Sequence, residues 1–116
     1  MRVRTKTWIE NESGELLFGK GKTEILELIE EEGSIAGAAE RMVLNYKKAW
    51  NHIKTLQGNF SEDLVIVQKG VKGGTFLTPE AKDLIKKYRR LQKDIETYAN
   101  RRFQELFPSD SDSLHR

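Results

Sequence analysis

The sequence has no cysteine and only two histidines among its 116 residues. The chain therefore has no disulfides and no thiol chemistry, and two histidines leave little for a transition-metal site. No apolar run approaches the ~20 residues that span a bilayer, and the N-terminal MRVRTK is not followed by the apolar stretch of a signal peptide. We expect a cytoplasmic protein with no membrane partner, no metal and no other cofactor.

Charge is abundant but unevenly distributed along the chain. The sequence is 37% hydrophobic and 33% charged, which suits one domain with a modest core. The net charge is only +2, yet residues 24–32 hold five glutamates and no base, whereas residues 41–90 hold eleven Lys or Arg against four Asp or Glu. A basic middle beside an acidic helix indicates one positive face suited to a polyanion. Scattered lysines that only contact solvent would give the same count.

The order of the predicted elements indicates a winged helix-turn-helix, a mainly α-helical fold of the α+β class. Capping residues, apolar periodicity and turn residues place the boundaries, with Ser34 and Asn45 as helix N-caps and Thr78-Pro79 opening the last helix. The elements are an N-terminal hairpin (7–9 with 15–18), helices at 22–32, 35–42 and 46–57, a β-ribbon (64–69 with 75–77) and a helix at 79–106. We divide the chain into a DNA-binding domain at 1–78, a dimerisation helix at 79–107 and a disordered tail at 108–116.

The third helix, 46–57, has two different faces when its residues are placed at about 100° intervals. The apolar stripe that we assign to the core consists of Ala49, Ile53 and Leu56. Lys47, Asn51 and Lys54 share another arc, and two lysines around an asparagine are typical of a helix in a DNA major groove. Any surface helix carries lysines opposite its core, so this arc alone leaves both interpretations open.

Three other residues of this helix are harder to assign. Trp50 lies at the edge of the apolar stripe, where it is either a packing residue or an aromatic facing the groove. Lys48 and His52 fall on the far side, and we interpret both as ordinary surface or interface residues. His52 has no partner in the sequence that suggests a metal ligand or a general base.

The glycine-rich turn at 70–74 is a candidate wing. Lys69 and Lys72 put two cations on a thin tip, where glycines let backbone N–H groups approach phosphate in the minor groove. A flexible hairpin turn with incidental lysines has the same composition. The position directly after a lysine-faced helix favours the wing.

One segment resembles part of an enzyme motif. Gly19-Lys20-Gly21-Lys22-Thr23 is similar to the end of a phosphate-binding P-loop, which needs a glycine five positions before its Gly-Lys-Thr. That position is Leu16, so we interpret the segment as a basic loop capping the first helix. We find no convergent Ser/His/Asp set and predict no catalytic residues and no enzyme activity.

The segments Gly33-Ser34-Ile35-Ala36-Gly37-Ala38-Ala39 and Asn45-Tyr46-Lys47-Lys48-Ala49-Trp50 carry a family resemblance. Together with the turn at 70–74 and Leu77-Thr78-Pro79, they resemble the DNA-binding half of the molybdate-responsive regulator ModE, within the LysR-type winged-helix group. The resemblance covers about residues 8–100 and implies a DNA-binding dimer. The DNA-contacting residues that it implies are Ser34, Tyr46, Lys47, Lys48, Asn51 and Lys72.

The chain also departs from the ModE pattern. Full-length ModE proteins continue into a molybdate-binding module, whereas this chain ends in a polar tail, and Asn45 stands where the family has serine. We expect no molybdate binding by this chain alone. Either a separate effector protein or no effector is then expected.

The last helix carries five residues at spacings of 4, 3, 4 and 3, the a and d positions of a heptad seam: Leu84, Tyr88, Leu91, Ile95 and Tyr98. Such a long helix cannot cover its apolar face on so small a core, so we predict that part of it packs on a second copy. The alternative is a helix folded back on its own domain. LysR-type proteins pair through this helix, which agrees with a homodimer, and two-fold symmetry implies an inverted-repeat operator.

These patterns predict a transcription regulator that binds double-stranded DNA. The alternative is a winged helix used for protein–protein or RNA contact, which steep salt dependence of duplex binding would distinguish. The complete set of predicted DNA-binding residues is Ser34, Tyr46, Lys47, Lys48, Trp50, Asn51, Lys54, Lys69 and Lys72.

Overall fold

The computed structural model describes residues 1–70 and 74–108. Its elements are β1 (Ile9–Glu10), β2 (Leu16–Phe18), α1 (Lys20–Glu32), α2 (Ile35–Arg41), α3 (Tyr46–Gly58), β3 (Val65–Gln68), β4 (Gly74–Leu77) and α4 (Pro79–Leu106). β1 pairs antiparallel with β2, and β3 with β4. None of the described helices is long and apolar enough to cross a membrane.

Side-chain caps define the starts of three helices. Ser34 and Asn45 accept hydrogen bonds from backbone N–H groups three residues later, at 2.9 and 2.8 Å, which confirms both predicted N-caps. Thr78 caps α4 in the same way at 3.2 Å, and α4 has its predicted bounds. α1 begins at Lys20, two residues earlier than predicted, because the extended Gly19 opens it without a side-chain cap.

One cluster of buried residues joins the first three helices, the β3–β4 ribbon and the start of α4. The predicted stripe of α3, Ala49, Ile53 and Leu56, is buried. Ala38 and Ala39 of α2 are buried too, and side chains this small let the backbones of neighbouring helices approach closely. This packing holds α2 and α3 as one helix-turn-helix unit.

Tyr88 of α4 lies in this core rather than in an exposed seam. Its ring packs edge-on against Phe18 with centroids 5.2 Å apart, and its hydroxyl donates to the Thr7 carbonyl at 2.7 Å. Burial raises the pKa of Tyr88, which keeps the phenol protonated as a donor. The residue is only 2% exposed, so this chain's own core leaves almost none of its predicted seam surface for a second copy to contact. The start of the chain already covers it.

The rest of α4 extends away from the body. Leu84 is half-buried against the core, whereas Leu91 and Tyr98 are 43% and 57% exposed and Ile95 is half-buried. The molecule is therefore 69 Å long but only 31 by 24 Å in its other dimensions. This part of the predicted seam has surface available for another molecule.

Two sequence predictions concern residues that the structure does not describe. Lys72 of the predicted wing belongs to residues 71–73, which are outside the described part of the chain. The predicted tail at 108–116 also lies outside them, except for Pro108.

Val43, in the turn between α2 and α3, has strained backbone geometry. Its φ is +55°, a left-handed conformation that β-branched residues rarely adopt, and its side chain is 91% exposed. The side chain thus makes little packing contact to compensate for the strain. Helices usually end at such a position with glycine.

Val43→Gly should therefore stabilise the protein by about 1 kcal/mol, because left-handed geometry costs a residue with a β-carbon roughly 1–2 kcal/mol. Urea denaturation measures the change. The control is Lys86→Gly on the exposed face of α4, which should lose about 0.5–1 kcal/mol. A Val43→Gly protein no more stable than the wild type would show that the turn is unstrained.

Candidate nucleic-acid interface

The exposed face of α3 carries Lys47, Asn51 and Lys54. Burial of the opposite stripe fixes the rotation of α3, so all three side chains project into solvent. None of them forms a hydrogen bond or an ion pair with another described residue. The face therefore has two unneutralised cations and an amide whose donors and acceptor are available to a ligand.

The glutamates of α1 leave this positive charge intact. Each of the five lies within 4.0 Å of a cation, and none of those cations belongs to α3. The pairs are Lys20–Glu24, Arg89–Glu27, Lys82–Glu30, Arg41–Glu31 and Arg41–Glu32. The hydrogen bonds that Arg41 and Arg89 donate to these carboxylates raise the pKa of both guanidinium groups. The acidic helix thus neutralises cations of α2 and α4, and the local excess of positive charge remains on α3.

Tyr46 and Trp50 form a pair on the edge of the same face. The Trp50 Nε1–H donates to the Tyr46 hydroxyl at 2.7 Å, and the rings meet edge to face at 6.5 Å. An indole has a single donor, so Trp50 presents only apolar surface outwards, while the Tyr46 hydroxyl keeps its own hydrogen for an outside acceptor. Trp50 packs against the core, and the Lys54 ammonium lies 6.0 Å from the centroid of its ring.

The β3–β4 ribbon lies beside α3. The Thr75 N–H donates to the Gly33 carbonyl at 2.9 Å, which anchors β4 to the turn between α1 and α2. A β-carbon at Gly74 would come 3.1 Å from that carbonyl, so the close approach favours glycine. A shallow apolar groove of about 390 Å³ separates α3 from β3 and is lined by Trp50, Lys54 and Val67 among others. Lys69 is exposed at the end of the ribbon.

The other predicted contact residues lie at the margins of this face. Ser34 is half-buried, and its hydroxyl oxygen accepts the N-cap hydrogen bond. Lys48 and His52 are exposed on the flank of α3 that faces away from the ribbon. Thr55, an exposed hydroxyl one turn after Asn51, lies on the same face and is not among the predicted contact residues.

Within residues 1–70 and 74–108, His, Asp and Glu side chains form no group of three that could hold a metal ion.

Sequence comparison relates the chain to a molybdenum transport protein and a molybdenum-pterin-binding protein, although no protein-family model matches it. It is 35% identical over 97 residues to the molybdenum transport protein ModE of Azotobacter vinelandii, covering 79% of this chain and 36% of that protein. It is 30% identical over 80 residues to the molybdenum-pterin-binding protein MopB of Rhodobacter capsulatus, covering 67% of this chain and 30% of that protein. The chain thus spans about a third of the length of these curated relatives.

Solved structures share the fold. The CbnR DNA-binding domain in complex with DNA has a TM-score of 0.54 at 17% identity, covering 83% of this chain and 97% of that chain. VV2_1132, a LysR family transcriptional regulator, has a TM-score of 0.56 at 14% identity, covering 78% of this chain and 30% of that chain. These likenesses confirm the predicted winged helix-turn-helix fold.

Proposed function

We propose that this chain, a ModE-like winged-helix domain, is the DNA-binding part of a transcription regulator. One observation carries the proposal: the exposed face of α3 presents Lys47, Asn51 and Lys54 without hydrogen-bond or ion-pair partners among residues 1–70 and 74–108, on a helix whose rotation the core fixes. The sequence likeness to ModE and the fold shared with DNA-bound CbnR support it. The five glutamates of α1 pair with cations outside α3, so they leave the charge of this face available to attract phosphate.

In this proposal α3 enters the major groove, and each side chain has a distinct task. Lys47 and Lys54 neutralise phosphates or donate to guanine, and Asn51 is suited to a bidentate contact with adenine. Tyr46 donates its hydroxyl hydrogen to a phosphate. Trp50 offers apolar surface to a thymine methyl or a sugar.

The remaining predicted contacts would position the protein on the DNA backbone rather than read bases. Ser34 lies at the start of α2, Lys48 on the flank of α3 and Lys69 at the end of the ribbon. We propose that Lys69 and the undescribed Lys72 bring the ribbon tip to the minor groove. Contacts of this kind set orientation and affinity, whereas specificity comes from base edges.

A second candidate function, contact with another protein, is favoured by one observation. Ile66, Val67 and Phe76 of the ribbon are large apolar residues left about half exposed. Binding through this surface would depend weakly on salt, whereas phosphate contacts release counterions and depend on it steeply.

Replacing Lys47 and Lys54 together by alanine should weaken duplex DNA binding and flatten its salt dependence. Each lost phosphate contact lowers the slope of log K against log salt by about 0.9. Fluorescence anisotropy at several salt concentrations measures both quantities. The matched control is Lys86→Ala with Lys93→Ala, which removes two exposed lysines at the same seven-residue spacing from α4. If the two double variants bind alike, α3 does not contact the DNA.

Asn51→Ala should affect specificity more than general affinity, because its amide has no partner within the described protein. We expect a loss of about 1–3 kcal/mol on a preferred site selected from random duplexes, and little loss on random DNA. Asn100→Ala, an exposed asparagine of α4, serves as the control. Equal losses on both kinds of DNA would assign Asn51 to the backbone instead.

We further propose that the chain forms a homodimer through the distal part of α4. The apolar surface left by Leu91, Ile95 and Tyr98 continues beyond the body, where the described part of the chain supplies nothing to cover it. Burying a Leu or Ile side chain contributes about 1.5–3 kcal/mol. Two-fold pairing then requires two DNA half-sites in inverted orientation.

Leu91→Asp with Ile95→Asp should give a monomer that keeps its folded winged helix but loses most affinity for an inverted-repeat site. Sedimentation and circular dichroism measure the two properties. Thr97→Asp with Asn100→Asp adds the same charge on the opposite, exposed face and should leave the dimer intact. A wild-type chain that is monomeric at tens of micromolar would refute this pairing.

A further inference from the structure

The start of α1 presents backbone donors that the protein itself does not use. Its N-cap, Gly19, is extended and provides no side-chain cap. The first helical hydrogen bond runs from the Thr23 N–H to the Gly19 carbonyl at 3.0 Å, so the N–H groups of residues 20–22 have no partner among the described residues. A β-carbon at Gly21 would meet no atom within 4 Å, and all three residues line an open cavity. N–H groups at a helix N-terminus favour anions.

Lys22 is a second and independent feature of the same place. It is only 7% exposed, and its ammonium forms no ion pair or hydrogen bond with any described residue. No side-chain nitrogen or oxygen in the described part of the chain is both fully buried and without a partner, so the ammonium must reach open space. Burial lowers the pKa of Lys22, which shows that its charge is poorly solvated there. A bound anion would offset that lost solvation.

An open cavity of about 650 Å³ connects these features. Lys6 and Lys20 line it together with Lys22, and the one carboxylate in its lining, Glu24, lies 4.0 Å from the Lys20 ammonium. Its lining thus has more positive than negative charge. His52 contributes to the opposite wall, which places the cavity on the flank of α3 away from the ribbon.

We propose that the start of α1 binds a tetrahedral oxyanion of the phosphate type. The N–H groups of residues 20–22 donate to its oxygens, and the Lys22 ammonium balances its charge. The Thr23 hydroxyl takes no part, because it donates to the Gly19 carbonyl at 2.8 Å. The oxyanion is either a free ion or a phosphate of a DNA backbone that passes this flank of α3.

The direct test is titration of the full chain with inorganic phosphate, followed by amide NMR at constant ionic strength against chloride. The amides of residues 20–22 should shift and saturate. Lys22→Met keeps an unbranched side chain for packing but removes the charge, and should weaken phosphate binding about tenfold or more. Lys86→Met, at an exposed site on α4, should bind as the wild type does. A dispersed spectrum verifies that each variant is folded.

A second pair of variants tests the backbone donors. Lys20→Pro removes one N–H at the first helical position, where proline is tolerated and the extended Gly19 suits it. Lys20→Met removes the same charge but keeps the N–H. Weaker phosphate binding by the proline variant supports the site, and equal binding by the two would overturn it.

Duplex DNA distinguishes the two sources of the oxyanion. If a backbone phosphate occupies the site, the duplex displaces inorganic phosphate, and Lys22→Met lowers the salt slope of DNA binding by about 0.9. If the ligand is a free ion, phosphate stays bound in the complex and the slope is unchanged. Amide shifts that do not saturate, or unchanged phosphate affinity in Lys22→Met, would overturn the proposal. The phosphate titration uses no DNA, so its outcome is independent of DNA binding.

Discussion

Close packing of α2 against α3 is the constraint on which the rest of the surface depends. Ala38 and Ala39 of α2 and Ala49 of α3 are all buried, and residues this small leave the two backbones little freedom to rotate or separate. Since side chains of a helix have fixed angular positions, burying this stripe also determines which residues of α3 face solvent. The exposed lysines are therefore a consequence of core packing, although they make no packing contribution themselves.

The ion pairs of α1 add an electrostatic effect to this packing. The net charge of +2 would be too small to define a face if cations and carboxylates were mixed evenly. Instead the glutamates of α1 pair with cations of α1, α2 and α4, and Arg89 in particular links α4 to Glu27 at 2.5 Å. These exposed pairs contribute little stability individually. Their larger effect is to remove negative charge from the neighbourhood of α3, where a polyanion would otherwise be repelled.

Local signals in the sequence predicted most of the fold, because caps, apolar periodicity and turn residues act over a few positions. They predicted α4 to the residue and both side-chain caps of the helix-turn-helix. They failed where the partner is distant in sequence: heptad spacing places Tyr88 on an apolar stripe, but its hydroxyl bonds Thr7, which is 81 residues away. Local signals also failed to predict the burial of Lys22. Its sequence neighbours suggest an exposed basic loop, and only the tertiary structure buries its side chain.

The same burial of Tyr88 has a consequence for how two copies would meet DNA. Tyr88 and Ala81 fix the first half of α4 to the body, and the helix continues to Leu106 with no glycine or proline after its first residue. A continuous helix transmits orientation, whereas a flexible linker would not. In the dimer that we propose, pairing through the second half of α4 therefore fixes the separation of the two α3 helices. Such a dimer would discriminate between operators by half-site spacing as well as by sequence, because a wrong spacing leaves one α3 without its groove.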